Sequence, residues 1–308
     1  MLRTFFVRMS ENPSLRSFAE RSSLGRRVSG RFVAGTEIAD AVRATQAINR
    51  AGMSVTIDNL GENVTNPDEA RHSSQLYGHI LEAIVANNLN ANISLKLTHM
   101  GLDVDEKLAR EIVRGLVARA ASMNPPGFVR VDMEGSPYTQ RTLDFVYELH
   151  RMPGNANSVG TVIQSYLKRS ESDVEKLLGE SIRIRLCKGA YKESADIAFA
   201  AKSDVDANYV KLMKILMKSG IYHGLATHDE KIVQQAEAFA TAEKISRDSF
   251  EFQMLYGIRR DLQQRLVRQG WRVRIYIPFG TEWYPYFMRR LGERPANVLF
   301  IARNLLRA

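Results

Sequence analysis

The sequence predicts an α/β fold of the (β/α)8 TIM-barrel type with a short helical N-terminal arm, and three observations carry that prediction. Eight short apolar, β-branched runs alternate with longer amphipathic stretches, and parallel strands need such crossover helices. Eight units is the number that closes a barrel. The rival, a doubly wound open sheet, usually opens with a glycine-rich first turn, and the chain contains no G-x-G-x-x-G and no P-loop.

Residues 1–50 read as the arm and 51–308 as the barrel domain. The first thirty residues, MLRTFFVRMSENPSLRSFAERSSLGRRVSG, are rich in Arg and Ser, as an organelle transit peptide would be. Glu11 and Glu20 count against that reading. The apolar spacing from Leu15 to Phe18 and from Ile38 to Ile48 suits short packed helices. The expected strands follow as MSVTID (53–58), ANISLKL (91–97), FVRVDME (128–134), VGTVIQS (159–165), SIRIRLC (181–187), HGLATH (223–228), SFEFQM (249–254) and RVRIYI (272–277). Helical periodicity occupies 68–88, 104–122, 139–150, 171–178, 194–219, 230–242, 258–269 and 283–292. Asn66-Pro67-Asp68 opens the first of these, and Asp103 precedes the second as an expected cap. Gly220, Gly270 and the Pro125-Pro126-Gly127 turn stand between a helix and the next strand, where helices must stop.

The bulk numbers narrow the function classes. At 308 residues the chain can bury a large core, and 44% hydrophobic with 25% charged residues is ordinary for a globular protein. No apolar run approaches a membrane span. A net charge of +9 permits anionic partners: nucleic acid, a phosphate-bearing cofactor or an acidic lipid surface. The single Cys187 rules out an intramolecular disulfide framework and a cysteine-rich metal site, and suits a reducing compartment. The six histidines show neither His-x-His nor HExxH spacing, so no metal site is expected.

Barrel chemistry lives at the carboxyl ends of the strands. There the sequence offers Lys96; Asp132, Met133 and Glu134; Gln164 and Tyr166; Arg185 and Lys188 followed by Gly189-Ala190-Tyr191; Thr227, His228 and Asp229; Glu251 and Gln253; and Tyr276. Charged groups in such places need partners, and a structural ion pair between Lys96 and Asp132 is the bland expectation. The last helix raises a separate question. In YPYFMRRLGER, residues 284–294, Tyr286, Arg289, Arg290 and Glu293 fall within an arc of about 100°. That face is either a solvated basic surface with an i,i+4 ion pair or a clamp whose two guanidinium forks hold a carboxylate. Its approach to the barrel mouth, following strand 8, favours the clamp.

The ordered set ISLKLTHMG, VRVDMEGSPYT, VIQSYLKR, IRLCKGAY, ATHD, FEFQMLYG and Tyr-x-x-Arg-Arg resembles the proline dehydrogenase family, over residues 30 to 300. The resemblance implies a distorted barrel holding FAD at its carboxyl face. It implies oxidation of L-proline to Δ1-pyrroline-5-carboxylate, with electrons passed to a membrane quinone. By motif, Arg289 and Arg290 would hold the proline carboxylate, and Lys96, Asp132, Tyr191, Tyr276 and Tyr286 would line the proline pocket. Arg185 is similar to the arginine near flavin N5. Met133, Gln164, Lys188, Gly189, Ala190, Thr227 and His228 match positions beside the flavin, and Glu293 matches a glutamate that orients the arginine pair. Cys187 stands where a small aliphatic residue is expected. No aldehyde dehydrogenase or DNA-binding module accompanies the motifs, so the chain looks like the short bacterial form. A separate pyrroline-5-carboxylate dehydrogenase would then be a partner. The expected location is cytoplasmic, with transient attachment to the inner face of the membrane.

Two rivals bear on the same residues. A Schiff-base aldolase barrel would use Lys96 or Lys188 as nucleophile on a phosphorylated substrate. Nucleic-acid binding would exploit the charge, but the basic residues are spread over many helices without aromatic interleaving.

Overall fold

The computed structural model describes residues 30–293, with the side chains of residues 289–293 outside the description. The expected helical stretch from Leu15 to Phe18 and the side chains of Arg289, Arg290 and Glu293 therefore lie outside the described residues. A first helix, α1 (Ile38–Arg50), leads into eight strands that close in sequence order, every neighbouring pair parallel. The units are β1 (Ser54–Asn59), α2 (Pro67–Ala86), β2 (Ala91–Leu95), α3 (Glu106–Ala121), β3 (Val129–Val131), α4 (Ser136–Arg151), β4 (Val159–Gln164) and α5 (Ser170–Gly179). The second half continues with β5 (Arg183–Cys187), α6 (Lys202–Lys218), β6 (His223–Ala226), α7 (Glu230–Ala242), β7 (Phe250–Leu255), α8 (Arg260–Arg268), β8 (Val273–Phe279) and α9 (Trp283–Glu293). The register closes through Thr56, which faces Asn92 on one side and Tyr276 on the other.

Successive strand residues point to opposite faces, and here the two faces differ sharply in chemistry. Val55, Ile57, Ile93, Leu95, Val129, Val131, Ile184, Leu186, Phe250, Phe252, Ile275 and Ile277 join the apolar core under the helices. Each such side chain, fully buried, contributes about 1.5–3 kcal/mol. The alternate positions carry Thr56, Asp58, Asn92, Ser94, Arg130, Asp132, Arg185, Glu251, Gln253, Arg274 and Tyr276. Most of these polar groups bond to one another across the barrel, while Arg130 donates to Thr161 O and Arg183 O, so the interior is a polar lattice enclosed by a hydrophobic sleeve.

Three local expectations are corrected. The cap of α3 is Asp105, whose carboxylate accepts from Leu108 N at 3.1 Å. Asp103 is instead taken by Tyr138 and Arg141 of α4. The helix expected over 194–219 starts only at Lys202. Ile197 N and Ala198 N close one turn on Ser194 O, but the turn is not continued, because Lys168 N donates to Ile197 O and Phe199 N to Tyr166 O, while Ala198 packs on Tyr166 and Leu167. The strand expected over 128–134 is regular only over Val129–Val131, although Asp132 N still donates to Leu95 O of β2 at 2.8 Å. The expected cap at Asn66 is present, accepting from Glu69 N at 3.0 Å.

Two helices depart from the simple ring. α1 packs against β8 and β1, flanking the seam between last and first strands. The first half of α9 builds an aromatic cluster instead: Trp283, Tyr284, Tyr286, Phe287 and Met288 pack with Phe32, Val33, Leu60 and Ile258. Leu60 and Ile258 follow the carboxyl ends of β1 and β7, so this cluster anchors α9 at the barrel mouth.

Candidate active site

The carboxyl ends of the strands surround a cavity of about 930 Å³, large enough for a cofactor and a small substrate together. Most of the residues singled out by sequence meet there: Lys96, Asp132, Met133, Gln164, Arg185, Lys188, Gly189, Ala190, Tyr191, Thr227, His228, Tyr276 and Tyr286 all line it.

Its centre is Asp132. One carboxylate oxygen accepts from Arg185 Nη1 at 2.7 Å and Ser94 Oγ at 2.6 Å, and the other accepts from Tyr276 OH at 3.0 Å. Burial, with Asp132 and Asp58 beside it, raises the Tyr276 phenol well above its ordinary value, so Tyr276 stays a donor. Arg185 is 6% exposed and lies over the Tyr276 ring, 5.1 Å from its centroid. Its Nε donates to Gln253 Oε1 at 2.6 Å. Its remaining Nη2 is buried without a hydrogen-bond partner, a costly state for a charged donor.

The expected Lys96–Asp132 ion pair is not the one formed. Lys96 approaches Glu62 at 3.5 Å, while Asp132 is taken by Arg185 at 2.7 Å, whose planar fork meets a carboxylate better than an ammonium does. Burial alone would lower the Lys96 amine, yet Asp58, Glu62 and Asp132 together raise it above the ordinary lysine value. A protonated Lys96 is a poor Schiff-base nucleophile. Lys188 is likewise engaged, by Asp206 at 2.6 Å and Asp229 at 2.9 Å. Cys187 is equally inert, because burial pushes its thiol up to about 12.

The rim is built by backbone as much as by side chains. Gly189 has φ of 105°, and a Cβ there would lie 2.1 Å from the Tyr166 ring, so glycine is required for the KGAY turn. Glu193 then ties this loop across the mouth, accepting from Ser136 N at 2.8 Å and Ser136 Oγ at 2.6 Å. Gln164, 3% exposed, donates to Glu134 O at 2.9 Å. Thr227 Oγ accepts from Asp229 N, and His228 Nε2 accepts from Leu255 N at 2.9 Å, which assigns the imidazole proton to the other nitrogen.

Sequence reasoning missed Asp58 and Glu62. Asp58 is 1% exposed and accepts from Tyr77 OH at 3.2 Å. Burial raises its carboxyl to about 6, opposed by Lys96 and reinforced by Asp132. A signal was available, since Asp58 ends the expected strand 53–58 much as Asp132 stands near the end of the expected strand 128–134. Glu62 lies in the loop after β1 and carried no comparable mark.

The proline dehydrogenase family profile matches residues 41–303. Proline dehydrogenase 1 of Bacillus subtilis strain 168 is 39% identical over 309 residues, covering 100% of each chain. Proline dehydrogenase of Deinococcus radiodurans is 38% identical over 310 residues, covering 100% of this chain and 98% of that one. Among solved structures, proline utilization A from Bdellovibrio bacteriovorus superposes with a TM-score of 0.82 at 24% identity, over 94% of this chain and 36% of that longer one. Full-length identity of this order, together with the profile match, makes the chain an enzyme of the proline dehydrogenase family.

Proposed function

We propose that the chain oxidises L-proline to Δ1-pyrroline-5-carboxylate with FAD held at the barrel mouth, and that a membrane quinone takes the electrons. The observation that carries the flavin reading is Arg185. Two of its three guanidinium nitrogens are fixed by Asp132 and Gln253, the third is buried and unpartnered, and the side chain lines the cavity of about 930 Å³. A flavin ring nitrogen or carbonyl oxygen is an acceptor such a donor can take. FAD, when bound, would supply the two-electron acceptor for a hydride from the ring CH2 next to nitrogen, on the side away from the carboxylate, while the nitrogen gives up its proton as the C=N bond forms.

The chain's own residues do the rest. Arg185 stabilises the negative charge that arrives with the electrons. Met133, Gln164, Lys188, Gly189, Ala190, Thr227 and His228 are the cofactor contacts on this reading, and Glu293 orients the arginine pair. Arg289 and Arg290 grip the substrate carboxylate as paired forks. Lys96, Asp132, Tyr191, Tyr276 and Tyr286 form the pocket wall, with Asp132 holding the Tyr276 hydroxyl in place. The tyrosines present apolar faces with polar tips to a small ring. Residues 51–308 constitute the catalytic barrel, and 1–50 the arm whose described helix, α1, packs on β1 and β8.

No helix among the described residues is long and apolar enough to cross a membrane. With a net charge of +9, attraction to anionic lipid is worth about 1 kcal/mol per well-placed Lys or Arg, which suits transient attachment to the inner face of the cell membrane. A separate pyrroline-5-carboxylate dehydrogenase would consume the product. The test is one preparation assayed three ways. We expect absorption near roughly 370 and 450 nm, proline-dependent reduction of a soluble quinone analogue outpacing that of NAD, and vesicle binding that weakens with salt. A colourless, flavin-free protein sinks the cofactor reading, faster NAD reduction sinks the quinone, and salt-independent binding or none sinks the membrane claim.

A further inference from the structure

Below Arg185 the barrel interior holds an unbroken line of hydrogen bonds that the reaction outlined above does not use. Gln253 and Glu251 stand two residues apart on β7, hence on one face, and are 4% and 2% exposed. Gln253 Oε1 accepts from Arg185 Nε at 2.6 Å, and Gln253 Nε2 donates to Glu251 Oε1 at 2.6 Å. Glu251 also accepts from Arg274 Nε at 2.6 Å and Tyr222 OH at 2.8 Å. Arg274 continues to Val55 O at 2.7 Å and Asn92 Oδ1 at 3.1 Å, near the amino-terminal ends of β1 and β2. Neighbouring β6 makes room for the line, because a Cβ on Gly224 would lie 2.3 Å from Gln253 Nε2.

The order of groups in this line has a direction. An amide's two ends are nearly the same shape, and only their partners decide which end points where. Ionised Glu251 accepts only, so it draws the amide NH2 towards itself and turns the carbonyl towards Arg185. Burial alone would raise the Glu251 carboxyl, but Arg274, Tyr222 and Gln253 hold it below the usual range. The neutral amide also separates that carboxylate from Arg185, leaving Asp132 as the carboxylate that bonds Arg185 directly.

We propose that Gln253 is a positioning residue for the oxidation: oriented by Glu251, its carbonyl fixes the edge of Arg185 so that Nη2 is presented to the electron-accepting ring, and its neutrality preserves the positive field there. The proposal rests on the flavin reading and deepens it. A merely structural role for the same bonds would show in stability and leave the redox properties of the bound flavin unchanged.

The experiment compares wild type with Gln253→Glu and Gln253→Met, measuring flavin content, midpoint potential, and reduction by saturating proline across pH. Gln253→Glu keeps the acceptor towards Arg185 but adds a carboxylate to it. At pH 8 we expect flavin reduction to be disfavoured about tenfold, or about 30 mV for a two-electron couple, with KM for proline little changed. The introduced carboxyl would face Arg185 of β5, Asp132 just after β3, Glu251 of β7, Arg274 of β8 and Tyr222 before β6, with Arg130 of β3 and Arg183 of β5 close to the same cluster. Like charges beside Glu251 cannot both ionise freely, so it takes up a proton as pH falls. The protonated form again donates to Glu251, and the deficit should shrink. Gln253→Met loses both bonds and should slow reduction at every pH. If Gln253→Met fails to fold, the isosteric Gln253→Glu carries the test alone. Wild-type potential and reduction rate in the flavin-loaded variants, whatever their stability, overturn the proposal. Absence of flavin from the wild type would instead overturn the cofactor reading beneath it.

Discussion

Arg274→Met should destabilise the protein by an amount set by proton uptake at Glu251. The pair meets at 2.6 Å with side chains 14% and 3% exposed. Removing one partner of such a buried pair typically costs about 3–5 kcal/mol, because the other charge is stranded. Here the stranded carboxylate has an escape: it can take a proton. Its ordinary value is 4.5, and protonating such a group at pH 7 costs about 3.4 kcal/mol, which caps that part of the penalty. The lost donors to Val55 O and Asn92 Oδ1 add about 1 kcal/mol each. In the wild type the Glu251 carboxyl is held low, so its contribution is present above about 4.5 and lost as pH falls through the folded value. In the variant the carboxyl is raised, so the sign reverses and stability returns as pH falls. Urea unfolding at pH 5, 6 and 7 should show a deficit relative to wild type of about 4–5 kcal/mol at pH 7, shrinking by about 1.4 kcal/mol per pH unit. Adding Glu251→Gln should recover most of the charge penalty and abolish its pH dependence. A deficit below about 1 kcal/mol at pH 7, or one independent of pH, would refute the view that this pair is buried and mutually dependent.

Three further outcomes follow from the site. Arg289→Lys and Arg290→Lys keep charge and lose the fork, so each should raise KM for proline by about 1.5–3 kcal/mol in binding terms with flavin content near normal; unchanged KM in both would mean a solvated face. Arg185→Met should hold less FAD and slow flavin reduction at saturating proline more than it weakens substrate binding, as read by stopped flow; unchanged occupancy and rate would remove Arg185 from the flavin site. Asp58→Asn concerns a carboxyl raised from 3.8 to about 6 by burial. Its stabilising contribution is complete below about 3.8 and lost as pH rises through 6, worth about 3 kcal/mol. The variant should therefore gain on the wild type by about 2.5 kcal/mol between pH 4 and pH 7, and parallel stability curves would contradict the burial argument.

Fold class was legible because strand and helix periods are local properties, and eight alternations leave few architectures. The polar lattice was less so. RIRLC, FEFQML and VRIYIP alternate charge with apolar bulk, a pattern of period two that marks a polar face. Reading those stretches as mainly apolar runs hides the fact that Arg185, Glu251, Gln253 and Arg274 share the interior. Pairing was not legible either. Whether Asp132 meets Lys96 or Arg185 depends on register and reach across the barrel, and the sequence distance from Asp132 to each says nothing of that. The helix expected from 194 failed for a related reason: residues 197–199 are helix-compatible alone but find better backbone partners at Tyr166 and Lys168. Tertiary pairing outbids propensity there.

The most direct measurement is anaerobic mixing of the purified protein with L-proline while its visible spectrum is followed. The account predicts that the band near roughly 450 nm bleaches without any added acceptor, and that one Δ1-pyrroline-5-carboxylate appears per flavin reduced. A flavin band that persists in excess L-proline, or bleaching without that product, would contradict it.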